Sequence, residues 1–250
     1  MDKKTNFYVA KQNALKKVDF SNKGSFDEPI LDLINLINDK KSLYTTSSCS
    51  GRITVVSCPM EDGSAKKNLK WLLNSHDLVS AEEVLLTLEK ADECFKIKFE
   101  PFILHVKCET VEDAQMLQKA AFSSGFKNSG ITFGHKGKHV MCAVRAPSSI
   151  DVPLTDHKGS NMVSDEYICY IVKIANEKMT ENFRKIERFQ TTLVKCIEEH
   201  KNDEKTIKRL ERIEKKRAMK EKYNFSTTEK TEKNSNKVDE CLDDFQSLFA

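Results

Sequence analysis

Two short strand-like runs follow each other with only a turn between them, and this pairing constrains the fold more than any other part of the sequence. FKIKF at 95–99 alternates apolar and polar residues, and FILHV at 102–106 begins directly after Pro101. Strands that are neighbours in sequence without a helix between them are typical of α+β domains and not of doubly wound parallel sheets.

The rest of the first 200 residues mixes helical and strand-like periodicity. Apolar residues at helical spacing predict helices at 7–18, at 30–37, from Ser80 and after Thr110. Strand-like runs lie at 52–56 and 69–73, and 129–134 is predicted to pair with 138–145 in a hairpin. A long helix begins at Ser164, and its first half is expected to pack on the sheet. We therefore expect an α+β fold: a single domain with a mixed, largely antiparallel sheet packed by helices, a long C-terminal helix and a disordered tail.

Charge is concentrated at the end of the chain. Of the 50 residues from Lys201 onward 24 are charged, against 55 in the first 200. This distribution predicts a globular domain over 1–200, a charged helical extension over 201–223 and a disordered tail over 224–250.

Two segments after residue 200 have more than one interpretation. The stretch 205–222 holds nine Lys and Arg residues against three acids, and it either follows RNA phosphates or is a solvated helix face. The last residues place four apolar side chains on a short helix, which is either a docking motif for a partner or a frayed terminus. These four are Leu242, Phe245, Leu248 and Phe249.

Composition bears on several classes of protein. The formal net charge of +3 is too small to indicate a nucleic-acid-binding protein by itself. No apolar run approaches the roughly 20 residues of a membrane span, and the N-terminus lacks an apolar signal-peptide core. The eight cysteines show no CxxC pair and no zinc-type spacing with histidine, so we expect reduced thiols, no metal site and a cytoplasmic location.

The segment TTSSCSGR, residues 45–52, is the richest in ligand-binding chemistry. Its small hydroxyl residues and Gly51 let hydrogen-bond donors approach an anion closely, and Arg52 adds a planar guanidinium. The pattern suits a carboxylate or a phosphate, and a plain turn between two strands is the alternative. Cys49 and Arg52 are too close in sequence for a thiol phosphatase loop, which disfavours a Cys49-dependent hydrolase.

A second candidate group lies around Pro101. Lys98 and Glu100 share one face of a strand and His105 lies on the next, so a turn would bring a cation, a carboxylate and an imidazole together. Such a group can position a substrate and move a proton. His76, at the end of a predicted strand, is a further candidate. A surface ion pair and buried histidines are the alternatives.

The third candidate is the segment SGFKNSGI at 124–131. Gly125 is expected to end the preceding helix, which leaves Lys127 and Ser129 in a loop that can reach a ligand. GHKG at 134–137 resembles the GxxG loop that clamps RNA, but it lacks the flanking helix pair and is predicted to be a hairpin turn.

Taken together, these motifs resemble the tRNA wybutosine-synthesising protein 3 family. SSCSGR at 47–52, KFEPFILHV at 98–106 and SGFKNSGI at 124–131 occur in this order and are followed by AVR, VPL and SDEYI. The resemblance covers about residues 1–200. It implies an S-adenosylmethionine-dependent methyltransferase that acts on N4 of the tricyclic guanosine derivative at position 37, beside the anticodon of phenylalanine tRNA. It also implies a fold other than the Rossmann methyltransferase fold, and the sequence has no GxGxG loop between a strand and a helix.

With this resemblance in view, we hypothesise three roles for candidate residues. For cofactor binding these are Ser47, Ser48, Cys49, Gly51, Arg52, Ser129 and Gly130. For RNA binding they are Lys98, Lys127 and Arg145. A proton must leave the accepting nitrogen, and the candidates for the catalytic base are Glu100, His105 and, as the alternative, His76.

A non-catalytic RNA-binding adaptor is the competing class of function. It explains the basic helix and the apolar terminal motif as well as an enzyme does. The polar segments at 45–52 and 98–105 favour the enzyme, because an adaptor does not require them.

Overall fold

The protein is described here from a computed structural model. It describes residues 3–16, 27–58, 69–134 and 139–200 together with positions 210, 212 and 214–216. The chain divides into two compact units, Met1–Ile197 and Glu198–Ala250. In the second unit the described residues, 198–200 and those beyond 209, are helical. Most of the predicted extension at 201–223 lies outside the described residues, as does the whole tail at 224–250 with its apolar motif of Leu242, Phe245, Leu248 and Phe249.

The first unit contains five α-helices and eight strands within its described residues. The helices are α1 (Lys3–Leu15), α2 (Leu31–Asn38, preceded by a 3₁₀ turn at Glu28–Ile30), α3 (Ala81–Leu88), α4 (Val111–Ser123) and α5 (165–197). The strands are β1 (Leu43–Cys49), β2 (Arg52–Ser57), β3 (Trp71–Ser75), β4 (Phe95–Glu100), β5 (Ile103–Cys108), β6 (Gly130–Phe133), β7 (Val140–Arg145) and β8 (Ile150–Pro153). None of the helices in the described part of the chain is long and apolar enough to cross a membrane.

The strands form two four-stranded sheets in which every pair is antiparallel. The first sheet has the order β1-β5-β7-β6 and the second the order β3-β2-β4-β8. The chain passes from one sheet to the other three times, between β1 and β2, β4 and β5, and β7 and β8. In the first sheet β1, β5 and β7 lie side by side, and the strands that they connect to, β2, β4 and β8, lie side by side in the same order in the second sheet. Each connected pair therefore forms one long, bent strand that crosses from one sheet to the other.

Each sheet packs one face on its own hydrophobic core. The first core contains α2, α4 and the second half of α5, with Phe102, Phe126 and Phe189 in mutual contact at centroid distances of 5.2 to 6.5 Å. The second core contains α3 and the first half of α5. α5 therefore packs on the sheets along its whole length, with its first half on the second sheet and its second half on the first. Its apolar stripe continues through Leu193 to Ile197 because the second half of the helix covers the first sheet.

Local sequence signals account for the helix starts. The Ser80 hydroxyl accepts a hydrogen bond from the backbone of Glu83 at 3.0 Å, and the Thr110 hydroxyl accepts one from Asp113 at 3.1 Å. These bonds satisfy backbone donors that the first helical turn leaves unpaired. Both predicted helix starts are confirmed.

The predicted α+β class is confirmed, and one strand is displaced along the sequence. The run at 69–73 forms a strand only from Trp71. Lys70 before it still meets Ser57, because its N–H donates to the Ser57 hydroxyl at 3.0 Å and its carbonyl oxygen accepts from the Ser57 N–H at 2.9 Å. β6 and β7 pair as the hairpin prediction requires. The GHKG turn lies largely outside the described residues, which omit 135–138.

Asn182 of α5 binds two of the three sheet crossings at once. Its Nδ2 donates to the carbonyl oxygen of Ser50 at 2.7 Å, and its Oδ1 accepts from the backbone N–H of Phe102 at 2.8 Å. The residue is only 3% exposed. Gly51 lies against it with φ of 105°, and an added Cβ would come within 2.9 Å of Nδ2, so only glycine fits this position.

We predict that Asn182→Ala destabilises the protein by about 2–5 kcal/mol, because it leaves two buried backbone groups without partners. Urea unfolding monitored by circular dichroism measures the change. Arg184→Ala, an exposed position on the same helix, is the matched control and should lie within about 0.5 kcal/mol of the wild type. Equal stability of the two variants would show that Asn182 does not hold the crossings.

Candidate functional site

The candidate site lies on the face of the first sheet that points away from α2, α4 and α5. Ser47, His105, Ala143 and Gly130 are directly in register across all four strands. Their sequence neighbours Leu104 and Val144 point into the core, so this row lies on the opposite face. A second row beside it contains Cys49, Ile103 and Arg145. The β1 members of the two rows, Ser47 and Cys49, lie just before the point where the chain crosses into the second sheet.

His105 is held between a hydroxyl and a guanidinium. Its Nδ1 is 2.9 Å from Ser47 Oγ, and its Nε2 is 2.9 Å from Arg145 Nη2. A guanidinium only donates hydrogen bonds, so Nε2 must accept and the ring proton resides on Nδ1 and is donated to Ser47. Burial lowers the pKa of His105, and the nearby charge of Arg145 lowers it further. His105 is therefore a neutral ring, and the lone pair on its Nε2 already accepts a hydrogen bond from Arg145.

Ser129 and Gly130 shape the floor beside Arg145. The Ser129 hydroxyl donates to the carbonyl oxygen of Phe126 at 2.7 Å and accepts from the backbone N–H of Arg145 at 3.1 Å. Ser129 is therefore committed to the protein itself and fixes the backbone that carries Arg145. At Gly130 an added Cβ would meet no atom within 4 Å, so the space above this residue is open.

A second cluster forms around His76, where the chain crosses between the sheets. His76 Nδ1 lies 2.9 Å from the carbonyl oxygen of Gly51, 3.3 Å from Asp27 Oδ2 and 3.9 Å from Cys49 Sγ. Asp27 is buried and accepts from both the backbone N–H and the hydroxyl of Ser50, at 2.9 and 3.0 Å. Cys49 belongs to both clusters, because it continues the row of Arg145 and touches His76.

The neighbours of His76 determine its tautomer. A carbonyl and a carboxylate oxygen surround Nδ1, and since both only accept, Nδ1 carries the proton. Nε2 then has the lone pair, and among the described residues it has no hydrogen-bond partner. The side chain is 23% exposed. A carboxylate behind Nδ1 and an unpartnered Nε2 on a partly exposed ring is an arrangement in which a histidine can accept a proton from a substrate.

Asp27, Cys49 and His76 are the one set of described residues whose ligand atoms are close enough to hold a metal ion, all within 4.8 Å of one another. Burial raises the pKa of the Cys49 thiol, and the negative charges of Asp27 and Glu100 raise it further. A backbone hydrogen bond with Gly51 and the positive charge of Arg52 act in the opposite direction. A metal needs the thiolate form and a ring nitrogen free of its proton. The arrangement therefore suits a hydrogen-bonded cluster better than a metal centre.

Arg52, Glu100 and Lys98 form an ion-pair chain on the second sheet. Arg52 Nε lies 2.6 Å from one oxygen of Glu100 and Lys98 Nζ lies 3.1 Å from the other. Partial burial raises the pKa of Glu100, but hydrogen bonds from the two cations outweigh it and hold that pKa below its usual range. The Arg52 guanidinium also lies 5.0 Å from the centre of the Trp71 ring.

The structure does not form the predicted trio around Pro101. Lys98 and Glu100 pair with each other and with Arg52, while His105 binds Ser47 and Arg145 instead. The chain changes sheets between Glu100 and Ile103, which separates the two sets of contacts. The expected trio is therefore wrong, because the turn at Pro101 connects two sheets and not two neighbouring strands.

Three other candidate residues contribute no side chain to either cluster. Ser48 is in register with Leu104 and so lies on the other face from Ser47. Gly51 has backbone and Asn182 against it and offers no space to a ligand. Lys127 is exposed in the turn after α4.

The sequence interpretation missed Asp27 and Asn182. Asn182 had a readable signal, because it occupies the apolar stripe of α5 between Met179 and Ile186, where a polar residue implies a buried hydrogen-bond partner. Asp27 had none, since its neighbours Glu28 and Pro29 suggest only a helix start.

The comparisons with known proteins agree on one family. Residues 9–195 match the family described as Methyltransferase TYW3. The chain is 43% identical over 199 residues to the human protein named tRNA wybutosine-synthesizing protein 3 homolog, a match covering 79% of this chain and 76% of that protein. It is 37% identical over 188 residues to a Pyrococcus abyssi protein named tRNA(Phe) 7-((3-amino-3-carboxypropyl)-4-demethylwyosine(37)-N(4))-methyltransferase 1, covering 74% and 94%. The solved PH1069 protein from Pyrococcus horikoshii superimposes with a TM-score of 0.68 at 35% identity, covering 77% and 96%.

We predict that Arg145→Ala raises the pKa of His105 towards 6.5, because it removes a positive charge beside the ring. The pKa should stay below that value, since burial is the larger cause. A histidine NMR titration measures it, and Lys107→Ala, two residues away on the same strand, serves as the control. If the His105 pKa is unchanged in Arg145→Ala, the contact between Arg145 and His105 is not present in solution.

Proposed function

Because this chain belongs to the methyltransferase TYW3 family, we propose that it transfers the methyl group of S-adenosylmethionine to N4 of the demethylwyosine derivative at position 37 of phenylalanine tRNA. The reaction class follows from the family, and the substrate is the one printed in the name of the Pyrococcus abyssi relative. The observation in this chain that carries the proposal is the His76 cluster: an imidazole that is 23% exposed, with a carboxylate at Nδ1 and no partner for Nε2 among the described residues, beside the TTSSCSGR segment.

His76 is the proposed general base. The accepting nitrogen must lose a proton, and Nε2 of His76 can take it while Asp27 stabilises the resulting imidazolium. His105 is less suited because its lone pair accepts from Arg145. Glu100 is less suited because Arg52 and Lys98 hold its pKa low, which makes it a weak proton acceptor. The order of the three base candidates is thus reversed relative to the sequence expectation.

The first sheet offers a surface that fits the cofactor. S-adenosylmethionine, when bound, supplies an electrophilic methyl group on a sulfonium. Gly130 leaves open space over the sheet, since an added Cβ there would meet no atom within 4 Å, and Arg145 can pair with the methionyl carboxylate. Ser47 and Cys49 line the side of this space nearest His76. The fixed positions of these groups serve alignment, which is the main requirement of an in-line methyl transfer.

The remaining cations are proposed to contact RNA. Lys98 is partly exposed on the second sheet, and Lys127 is exposed after α4. An ammonium group on a long, flexible side chain suits contacts with phosphates, which carry no sequence information. We further propose that the protein acts in the cytoplasm.

We predict that His76→Ala reduces the rate of methyl transfer by about 10²–10⁴-fold, the contribution typical of a general base. Mass spectrometry of phenylalanine tRNA carrying the demethylated intermediate, with S-adenosylmethionine added, measures the gain of one methyl group. His105→Gln and Glu100→Gln should each reduce the rate of methyl transfer less than His76→Ala does. His157→Ala, at an exposed histidine, should be as active as the wild type.

The same assay separates the enzyme from the adaptor. A wild-type protein that binds the tRNA but transfers no methyl group would favour a non-catalytic RNA-binding adaptor. A fully active His76→Ala would remove His76 from the base role and leave the proposed reaction standing.

We predict that Gly130→Val weakens S-adenosylmethionine binding roughly 5- to 150-fold, because the side chain fills space that the ligand needs. Stability should not fall, since an added Cβ meets no neighbour within 4 Å. Calorimetry measures the affinity, with Thr132→Val on the same strand and face as the control. Unaltered affinity in Gly130→Val would place the cofactor elsewhere.

A further inference from the structure

Trp71 has no role in the proposed methyl transfer, yet its surroundings are unusual for a surface residue. It is the only tryptophan of the chain and is 46% exposed at the start of the edge strand β3. The Arg52 guanidinium lies over its ring at 5.0 Å from the centroid. An aromatic ring and a guanidinium plane are the two side-chain surfaces on which unpaired RNA bases stack.

Arg52 is held in place from the opposite side. Its Nε donates to Glu100 Oε2 at 2.6 Å, and Lys98 binds the other oxygen of the same carboxylate at 3.1 Å. Glu100 therefore fixes the guanidinium and leaves it beside the ring. A pre-ordered stacking surface loses less side-chain entropy when a ligand binds.

The pair is continuous with the proposed active site. Arg52 directly follows Gly51, whose carbonyl oxygen binds His76. β3 begins at Trp71 and His76 follows its last residue, so the two are about 17 Å apart at about 3.4 Å per residue. This distance corresponds to no more than about five stacked nucleotides of one strand.

We propose that Trp71 and Arg52 form a stacking platform for an unpaired nucleotide of the RNA substrate, within a few positions of the base that is methylated. The inference rests on the proposed function, which supplies the RNA. An enzyme that modifies a base must take that base out of its stack, so neighbouring bases lose their stacking partner. Trp71 and Arg52 replace that partner at one position.

The single tryptophan provides a direct test. Addition of an anticodon stem-loop to the wild-type protein should quench the Trp71 fluorescence, because a stacked base contacts the indole. Stem-loops with one abasic nucleotide at successive loop positions should bind, and one of them should fail to quench. A contribution of Trp71 that is only structural would not depend on which base is missing.

Variants test the effect on affinity. Trp71→Leu should weaken stem-loop binding, followed by anisotropy of a labelled RNA, roughly 5- to 150-fold, and Trp71→Phe should retain most of the affinity. Tyr167→Leu is the matched control, since Tyr167 is 41% exposed and should leave binding unchanged. Thermal unfolding of each variant verifies that it is folded.

The outcomes separate this inference from the proposed function. Methylation of the RNA without quenching, and with normal binding by Trp71→Leu, would overturn the platform and leave the reaction intact. Base-dependent quenching without methylation would support the platform and overturn the reaction. If the wild-type protein does not bind the stem-loop at all, both are wrong.

Discussion

Two hydrogen bonds of Asn182 hold together the points at which the chain passes from one sheet to the other. They fix the backbone of Ser50 and of Phe102, which lie on different bent strands. Because Asn182 belongs to the helix that enters both hydrophobic cores, the bend is tied to the packing of the whole unit. Gly51 completes this arrangement, since the close approach of Asn182 leaves no room for a Cβ.

The bend brings the chemistry together. Cys49 ends one strand on the open face of the first sheet, and the next two residues turn the chain so that the Gly51 carbonyl and Asp27 meet His76. The two histidines therefore lie in different surroundings. His105 has both ring nitrogens engaged, and His76 keeps one nitrogen accessible. This difference supports His76 as the proton acceptor and gives His105 the role of holding Ser47 and Arg145 in place.

Local patterns predicted the elements of this protein well and their mutual arrangement poorly. The caps at Ser80 and Thr110 and the alternation at 95–99 depend on residues a few positions apart, so the sequence displays them directly. The assignment of 45–52 as a ligand-binding segment stays a prediction. The grouping of Lys98, Glu100 and His105 failed, because it assumed that a turn at Pro101 joins two strands of one sheet. Whether the strands on both sides of a turn belong to one sheet depends on contacts with distant residues. At this turn the contact is with Asn182, which lies 80 residues away in sequence from Phe102.

The sequence alone determined the α+β class, the helices, most strands and the family resemblance, since each depends on short-range periodicity or on motifs in a fixed order. Only the tertiary structure decided which motif residues share one face of a sheet. Ser47 and Ser48 are adjacent and chemically alike, yet the period of two in a strand places them on opposite faces. Only the structure showed Asp27 beside His76 and Arg52 beside Trp71. Contacts between residues distant in sequence are set by the packing of helices on a bent sheet, which no local pattern encodes.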